Sequence, residues 1–327
     1  MAQGATVTTA LVTGATGFIG SALVQELVRR GVIVRGLTRT SPRDDLAHLP
    51  IAWVQGDLHD AASLRGACNG ADLVIHAAGM LGRFGVPEAD YHALHVEGTR
   101  HLLEELVTLP RPPRTLIVSS PGVLGPTGAD KSADESRPLA PSNAYERSKA
   151  AAERLAIDYA NHLPLIIGRP EFVYGPGDRH VLGLFRAIQR GFFFTINRGR
   201  GWCHPTYVDD AVHGLLLAAE RGTPGQIYHI TGPHAVTFRT LADTIADALE
   251  VRRPWLSLPR PLAEAGSWLL EKVSTNPPIS RDGVAFFSDS RRFSWQKAHD
   301  QLGYSPRIDL PLGVSATVAW YRTHGWL

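Results

Sequence analysis

Residues Thr13 to Gly20 read TGATGFIG, directly after the apolar run Ala10-Leu11-Val12. Glycine loses more conformational freedom on folding than any other residue, so three of them beside a helical pattern need a reason. The flanks supply it. Ala10 to Thr13 reads as a short buried strand, and Ser21 to Arg30 has apolar residues at helical spacing and stops at Gly31. Strand, glycine loop and helix together open a βαβ unit of the kind that cradles a dinucleotide. The spacing is GxxGxxG rather than GxGxxG, yet the physical roles carry over. Gly14 allows a tight turn, Gly17 lets a pyrophosphate approach the backbone, and Gly20 allows close packing of helix on strand. Thr16, Phe18 and Ile19 complete the loop, where the helix presents unpaired N–H groups and partial positive charge to phosphate. The plain alternative, a glycine-rich turn without a ligand, does not explain the strand and helix on either side.

The pattern repeats along the first half of the chain. Strands are expected at Val32 to Leu37, Ile51 to Val54, Asp72 to His76, Thr115 to Ser119 and Leu165 to Ile167. Helices are expected at Ala61 to Cys68, Tyr91 to Val107 and Asn143 to Asn161. Alternating strands and helices predict an α/β fold, a Rossmann-type doubly wound parallel sheet covered on both faces. After residue 170 proline and glycine become frequent, as in PEFVYGPGDRH. A helix at Val208 to Arg221, a strand at Gln226 to Ile230 and an amphipathic helix at Thr237 to Leu249, with Thr237 as N-cap, follow. This predicts a dinucleotide-binding domain over residues 1–170 and a smaller C-terminal substrate-binding lobe over 171–327. About 203–232 return to the sheet.

Composition narrows the function classes. The formal net charge of +2 gives no dense basic face for nucleic acid. Two cysteines, Cys68 and Cys203, cannot build a disulfide framework and suit a reducing compartment. Met1 to Thr9 lacks the basic start and apolar core of a leader, and no stretch runs long enough without charge to span a membrane. The expectation is a cytoplasmic protein acting on a small molecule.

The end of the second strand reads VRGLTRT, with Thr38 where an acid would hold the 2′-hydroxyl of NAD and Arg39 next to it. The planar fork of arginine matches a 2′-phosphate, which points to NADP, with NAD the second choice. Asp57 and Leu58, in GDL after the third strand, are placed to touch the adenine. Ala77, Ala78 and Gly79, in HAAG, are small enough for close approach of the cofactor.

Tyr145 and Lys149 lie four apart in NAYERSKAAAERLA and share one helix face. A phenol is a poor acid–base group at neutral pH, and a nearby ammonium lowers its pKa. Ser120, at the end of the fifth strand, can bond a carbonyl or alcohol oxygen together with Tyr145. Each element alone is weak. In order, each at a ligand-facing point of a parallel sheet, they make a coherent set.

That set resembles the extended short-chain dehydrogenase/reductase superfamily, which includes the NAD-dependent epimerases and dehydratases. The segments that carry it are TGATGFIG, GDL, HAAG, VEGT, SSPGVLG, YERSK, RPEFVYGPGD, HPTYVDDAVHG and LGYSP. GLLLAAERGTPGQIYHITG and FFSDSRRFSWQKAHDQLGYSP resemble its 3β-hydroxysteroid dehydrogenase-like and dihydroflavonol reductase-like branch. The resemblance implies an oxidoreductase with Ser120, Tyr145 and Lys149 as catalytic residues. Tyr145 would exchange the proton, and Lys149 would lower its pKa and hold the nicotinamide ribose. Pro170 and Phe172 would lie by the nicotinamide, and Leu81, Phe84, Ser120, Pro121, Phe172 and Trp202 would line an apolar pocket. It also implies a homodimer through the Tyr91 to Val107 and Asn143 to Asn161 helices.

Two departures stand out. His95 occupies the Asn position of NVxGT, with a structural role expected, and Pro121 removes a backbone donor after Ser120. His92, His95 and His101 share one helix, but without an acid or cysteine at ligand spacing no metal site is expected. The rival enzyme reading is a sugar-nucleotide epimerase or dehydratase. Against it, Gly201-Trp202-Cys203-His204 lacks the arginine that would hold a diphosphate, leaving Arg200 and Arg292 as substitutes. The non-enzymatic rival is an NADP-binding regulatory protein, and the intact Ser120, Tyr145 and Lys149 argue against it. The Phe192 to Phe194 run reads as core as readily as pocket.

Overall fold

Short, almost wholly apolar strands need cover on both faces, and a parallel sheet between helix layers provides it. The computed structural model describes residues 7–40, 44–128, 131–275 and 277–327. Seven strands form the sheet: β1 (Thr9–Thr13), β2 (Ile33–Thr38), β3 (Ile51–Gln55), β4 (Leu73–His76), β5 (Arg114–Val118), β6 (Leu165–Pro170) and β7 (Ile227–Ile230). All pair in parallel in the order β3-β2-β1-β4-β5-β6-β7. The order reverses between β1 and β4, where Thr13 lies opposite His76. In doubly wound sheets ligands bind at this point, outside the C-terminal strand ends.

Helix α1 (Phe18–Arg29) packs Leu23, Val24 and Leu27 into the core on one face of the sheet, together with Val212, Leu215 and Leu216 of α6 (Val208–Arg221). On the other face, Leu102, Leu103 and Leu106 of α3 (Gly98–Val107) share a core with Ala156 of α4 (Ala144–Asp158). The first core runs on into the C-terminal half. Phe238, Leu241 and Ile245 of α7 (Phe238–Leu249) join it, as do Val314, Val318 and Tyr321 of α11 (Leu310–Thr323). The remaining helices are α5 (Leu182–Gln189), α8 (Arg260–Val273), α9 (Arg281–Ser288) and α10 (Gln296–Leu302). Helix α6 and strand β7 thus build on the sheet although they lie beyond residue 170.

Some local expectations are corrected. Ala61 to Cys68 is not an α-helix. Asp60 caps a single 3-10 turn, Ala61–Leu64, and Arg65 then leaves helical geometry. Helix α1 starts at Phe18 instead of Ser21, and β5 ends at Val118 instead of Ser119. The Tyr91 to Val107 helix begins earlier, as α2 (Glu88–His92), and widens into a π turn over Ala93–Glu97 before α3. Such turns recur at functional sites, and this one carries His95. Phe192 is 80% exposed, so the phenylalanine run is not core throughout. The leader reading of Met1 to Thr9 falls in part on residues 1–6, outside the described residues.

One buried ion pair ties α4 to the sheet. Arg169 of β6 donates from Nε to Glu153 Oε1 at 2.9 Å and from Nη2 to Glu153 Oε2 at 2.5 Å. Both side chains are shut off from solvent. Removing one partner leaves an uncompensated buried charge, so Glu153→Ala should lower stability by about 3–5 kcal/mol in urea denaturation. A loss below about 1 kcal/mol would show that the pair does not anchor the helix.

Candidate functional site

The glycine loop is set by backbone contact. Gly14 adopts φ +68°, and a Cβ there would lie 2.6 Å from both Cα and N of Ala78. A Cβ on Gly20 would lie 2.0 Å from the Gly14 carbonyl oxygen, so this glycine closes on the loop's own first turn as well as bringing the helix close. Gly17 is exposed, and its N–H donates to Gly14 O at 2.9 Å. Gly17 is also the N-cap of α1, which has no side-chain cap and no acid in its first turn. Thr16, Phe18 and Ile19 flank that helix start. Its leading amides and dipole suit an anion.

Other residues of the expected cofactor set lie at the same strand ends. The Thr38 hydroxyl donates to Thr40 O at 2.7 Å, with Arg39 exposed beside it. Asp57 accepts from the His59 N–H at 3.0 Å, and Leu58 is buried beside Gly98. Ala77 and Ala78 donate to the backbone and hydroxyl of Thr13 at 3.2 and 3.3 Å, and Gly79 lies open to solvent. Positive φ, excluded Cβ positions and a bare helix start together fit a dinucleotide.

Lys149 and Tyr145 lie against Gly79 and Gly82, on the segment that follows Ala78, and Ser120 follows β5. Asn143 caps α4 by accepting from the Glu146 N–H at 2.9 Å. Lys149 Nζ donates to Val118 O at 3.0 Å, at the end of β5. The Ser120 hydroxyl favours the ionised form of the Tyr145 phenol. Ser120 also accepts from the Gly122 N–H at 3.2 Å and caps a 3-10 turn over Pro121–Leu124. Pro121 fills the first helical position, where an N–H would have no intrahelical partner, which explains a proline after this serine.

Burial pulls Lys149 down to about 8, with Glu153 opposing. Burial pushes the Tyr145 phenol up, Glu171 and Glu146 add to this, and the Ser120 hydroxyl works the other way. The direction differs from the lowering by Lys149 expected from the sequence. The ammonium is bonded to Val118 O instead, and the acids near Tyr145 were not anticipated.

His95 has a defined structural part. Its Nε2 accepts from the Met80 N–H at 3.0 Å, so Nδ1 carries the proton and donates to Ser148 Oγ at 2.8 Å. Ser148 in turn donates to the Tyr145 carbonyl at 2.7 Å. A second chain runs beside it. Thr13 Oγ1 donates to His76 Nδ1 at 2.7 Å, His76 Nε2 to Thr99 Oγ1 at 3.0 Å, and Thr99 to the His95 carbonyl at 2.5 Å. These bonds link β1, β4, the π turn and α4. His101 points elsewhere, with Nδ1 2.7 Å from Leu58 O.

The remaining expected residues spread around the opening. Pro170 ends β6, and Phe172 follows with φ +36° and its ring 5.6 Å from that of Phe286. Leu81 and Phe84 are half exposed on the loop after β4, and Trp202 lies under the Arg292 guanidinium at 4.6 Å. The sequence reading did not name Glu171, Glu146, Arg291 or Ser148. An acid inside the apolar run PEFVYG was the available signal for Glu171; Arg291 comes from a distant segment and gave none.

The fold and this edge define a dinucleotide-binding α/β protein of the oxidoreductase and dehydratase class. Residues 10–231 match the model of the NAD dependent epimerase/dehydratase family, and the chain belongs to that family. It is 29% identical over 317 residues to the 4-hydroxy-2-methyl-3-oxo-4-farnesyl-3,4-dihydroquinoline-1-oxide ketoreductase of Stigmatella aurantiaca, covering 93% of this chain and 94% of that protein. It is 27% identical over 345 residues to the 3beta-hydroxysteroid-dehydrogenase/decarboxylase isoform 2 of Arabidopsis thaliana, covering 94% of this chain and 61% of that protein. Among solved structures, a dTDP-glucose 4,6-dehydratase from Streptomyces venezuelae with NAD bound superposes with a TM-score of 0.80 at 27% identity, covering 97% of this chain and 98% of that one. Among the described residues, no helix is long and apolar enough to cross a membrane.

Four histidines are buried in neutral form: burial holds His76 at about 3, His95 at about 2, His204 at about 4 and His229 at about 3. Each folded value lies below the unfolded value of about 6.5, so the unfolded chain binds more protons as pH falls. The stability they contribute is complete above about pH 6.5 and is lost on acidification, by on the order of 2 kcal/mol each at about pH 5. The urea midpoint should therefore drop steeply between about pH 7 and pH 5; an unchanged midpoint would show that these rings protonate without resistance.

Proposed function

We propose that the protein exchanges hydride with the ketone, secondary alcohol or aldehyde of a largely apolar molecule, steroid- or flavonoid-like, using NADP(H). The observation that carries this reading is that Lys149 and Tyr145 lie against Gly79 and Gly82, on the segment that follows the Ala78 abutting Gly14. In reduction, Tyr145 gives its proton to the substrate oxygen while Ser120 bonds that oxygen as negative charge grows on it. A phenol held high by its surroundings stays protonated through the neutral range and is ready to donate. Lys149, cationic below about 8, adds positive charge at the same edge. The nicotinamide, when bound, supplies the hydride. One hydride on carbon and one proton on oxygen complete the alcohol, and oxidation runs the same steps backward.

Gly14, Thr16, Gly17, Phe18, Ile19, Asp57, Leu58, Ala77, Ala78, Gly79, Pro170 and Phe172 would hold the cofactor in this reading, with Thr38 and Arg39 toward a 2′-phosphate. Leu81, Phe84, Pro121, Phe172 and Trp202 support an apolar substrate. The second reading, a sugar-nucleotide dehydratase or epimerase, is favoured by the likeness to the Streptomyces venezuelae enzyme. It is disfavoured by Gly201-Trp202-Cys203-His204, which offers no arginine for a diphosphate.

NADPH oxidation followed against hydrophobic ketones, steroids and aldehydes, with UDP- and GDP-sugars as controls, separates the two. Turnover is expected with the apolar carbonyl compounds; micromolar binding of the sugar nucleotides in calorimetry would restore the second reading. Tyr145→Phe should lower kcat by at least ~100-fold and leave NADPH binding in place, and retained turnover would remove Tyr145 from the mechanism. NADPH should be preferred over NADH in kcat/KM, by ~10-fold or more, with Arg39→Ala erasing the preference. A native preference for NADH would sink that assignment. We also propose a homodimer through α3 and α4, on which Val107 and Ile157 are 39% and 45% exposed; a monomer in sedimentation would overturn it.

A further inference from the structure

The first turn of α4 carries more polar contacts than capping a helix requires. Asn143 and Glu146 supply the ordinary part. Asn143 accepts from the Glu146 N–H at 2.9 Å, and Glu146 Oε2 reaches back to accept from both the N–H and the hydroxyl of Ser142 at 2.7 Å. Tyr145 lies inside this closed turn. The other carboxylate oxygen is not spent on the helix. Glu146 Oε1 meets Arg291 Nη1 at 2.8 Å with both side chains buried, and Arg291 Nη2 donates to the Ser142 hydroxyl at 3.4 Å.

Arg291 comes from the segment after α9, and its backbone is fixed as well. Its N–H donates to Trp202 O at 2.8 Å, and the Trp202 N–H donates to Ser290 Oγ at 3.3 Å. The ion pair therefore joins the helix that carries Tyr145 to the strand that carries Trp202. Gly122 adds a further side. Its N–H donates to Ser120 Oγ at 3.2 Å, and a Cβ built on it would lie 3.3 Å from Ser120 Oγ and 3.4 Å from Glu146 Oε1. The carboxylate that grips Arg291 thus abuts the turn that Ser120 caps. A buried ion pair adds little net stability over apolar packing of the same shape, but its charge-assisted hydrogen bonds fix direction and distance.

We propose that Glu146 and Arg291 are positioning residues that set the spacing of Ser120 and Tyr145 and hold both in register with the pocket wall at Trp202. Glu146 closes the turn around Tyr145, abuts the turn capped by Ser120 and grips the segment bonded to Trp202. Neither residue exchanges a proton with the substrate. The inference rests on the reading of Ser120 and Tyr145 as the groups that bond and protonate the substrate oxygen. Displacing such groups costs rate without loosening the cofactor.

Carbonyl reduction at saturating NADPH tests this. Arg291→Met strands a buried carboxylate, so the double variant Glu146→Gln/Arg291→Met, which leaves no unpaired charge, is measured beside it. Both should lose ~10-fold or more in kcat, with the Kd for NADPH unmoved. Arg291→Lys keeps a cation for Glu146 and should recover most of the loss. Gly122→Ala changes neither charge nor hydroxyl; its methyl group enters between Ser120 and Glu146 and should lower kcat in the same way. A pair that only stabilises the fold would leave kcat per folded enzyme at the wild-type value. A second readout needs no turnover. In protein labelled with fluorotyrosine, the Tyr145 resonance, assigned by its loss in Tyr145→Phe, should shift in the double variant and in Gly122→Ala and keep its wild-type position in Arg291→Lys. Should the double variant not fold, Gly122→Ala decides by the same two readouts. Absence of turnover on every carbonyl compound removes the reductase reading, and the resonance then decides the positioning by itself. Wild-type kcat or an unmoved Tyr145 resonance in the folded double variant overturns the inference, as does a loss in Arg291→Lys equal to that in Arg291→Met.

Discussion

The near-contact of Gly14 with the backbone of Ala78 is the constraint from which the site follows. It brings the first turn after β1 against the end of β4, at the point where the strand order reverses. A side chain at Gly14 would push these segments apart and lift the start of α1 off the sheet. With the contact made, the amides of α1, the small residues Ala77 to Gly79 and the end of β5 face one opening. The hydrogen-bond chains through His76 and His95 then fix α4 relative to that opening. Tyr145 and Lys149 inherit their places from this frame.

Charge burial shapes the chemistry as much as geometry does. The Arg169–Glu153 pair is bidentate, a structural bolt between sheet and helix. A second buried pair joins Glu146 to Arg291. The two lie near opposite ends of α4, so a single helix is held at both ends by buried ion pairs. Neutral histidines fit the same pattern. His76 and His95 sit close enough to Lys149 that a charged ring would be repelled, and the network gives each nitrogen a partner that suits the neutral form.

Much of the fold was legible because its signals are local. Continuous apolar strands, 3.6-residue helical spacing and Gly at fixed offsets predict the sheet and its cofactor edge without tertiary information. Misreadings arose where local pattern was overruled. Ala61 to Cys68 has helical composition, yet Arg65 leaves helical geometry and Gly66 takes positive φ, so the turn ends at Leu64. Phe192 is apolar, yet it projects into solvent at the end of α5. The site residues named in advance belong to short motifs, each near a strand end. The pairing of Arg291 with Glu146 belongs to no such spacing and exists only once distant segments meet.

The sequence by itself determined the sheet, the glycine loop and the presence of a serine after the fifth strand and of a tyrosine and a lysine on one helix, because each follows from residue type and short-range periodicity. Only the tertiary structure decided the electrical environment of Tyr145. That environment depends on which charges are buried together and which partner each one finds. Arg291 lies 120 positions beyond Glu171 in the chain. No local pattern encodes that Glu146, next to Tyr145 in the chain, holds this arginine in a buried pair.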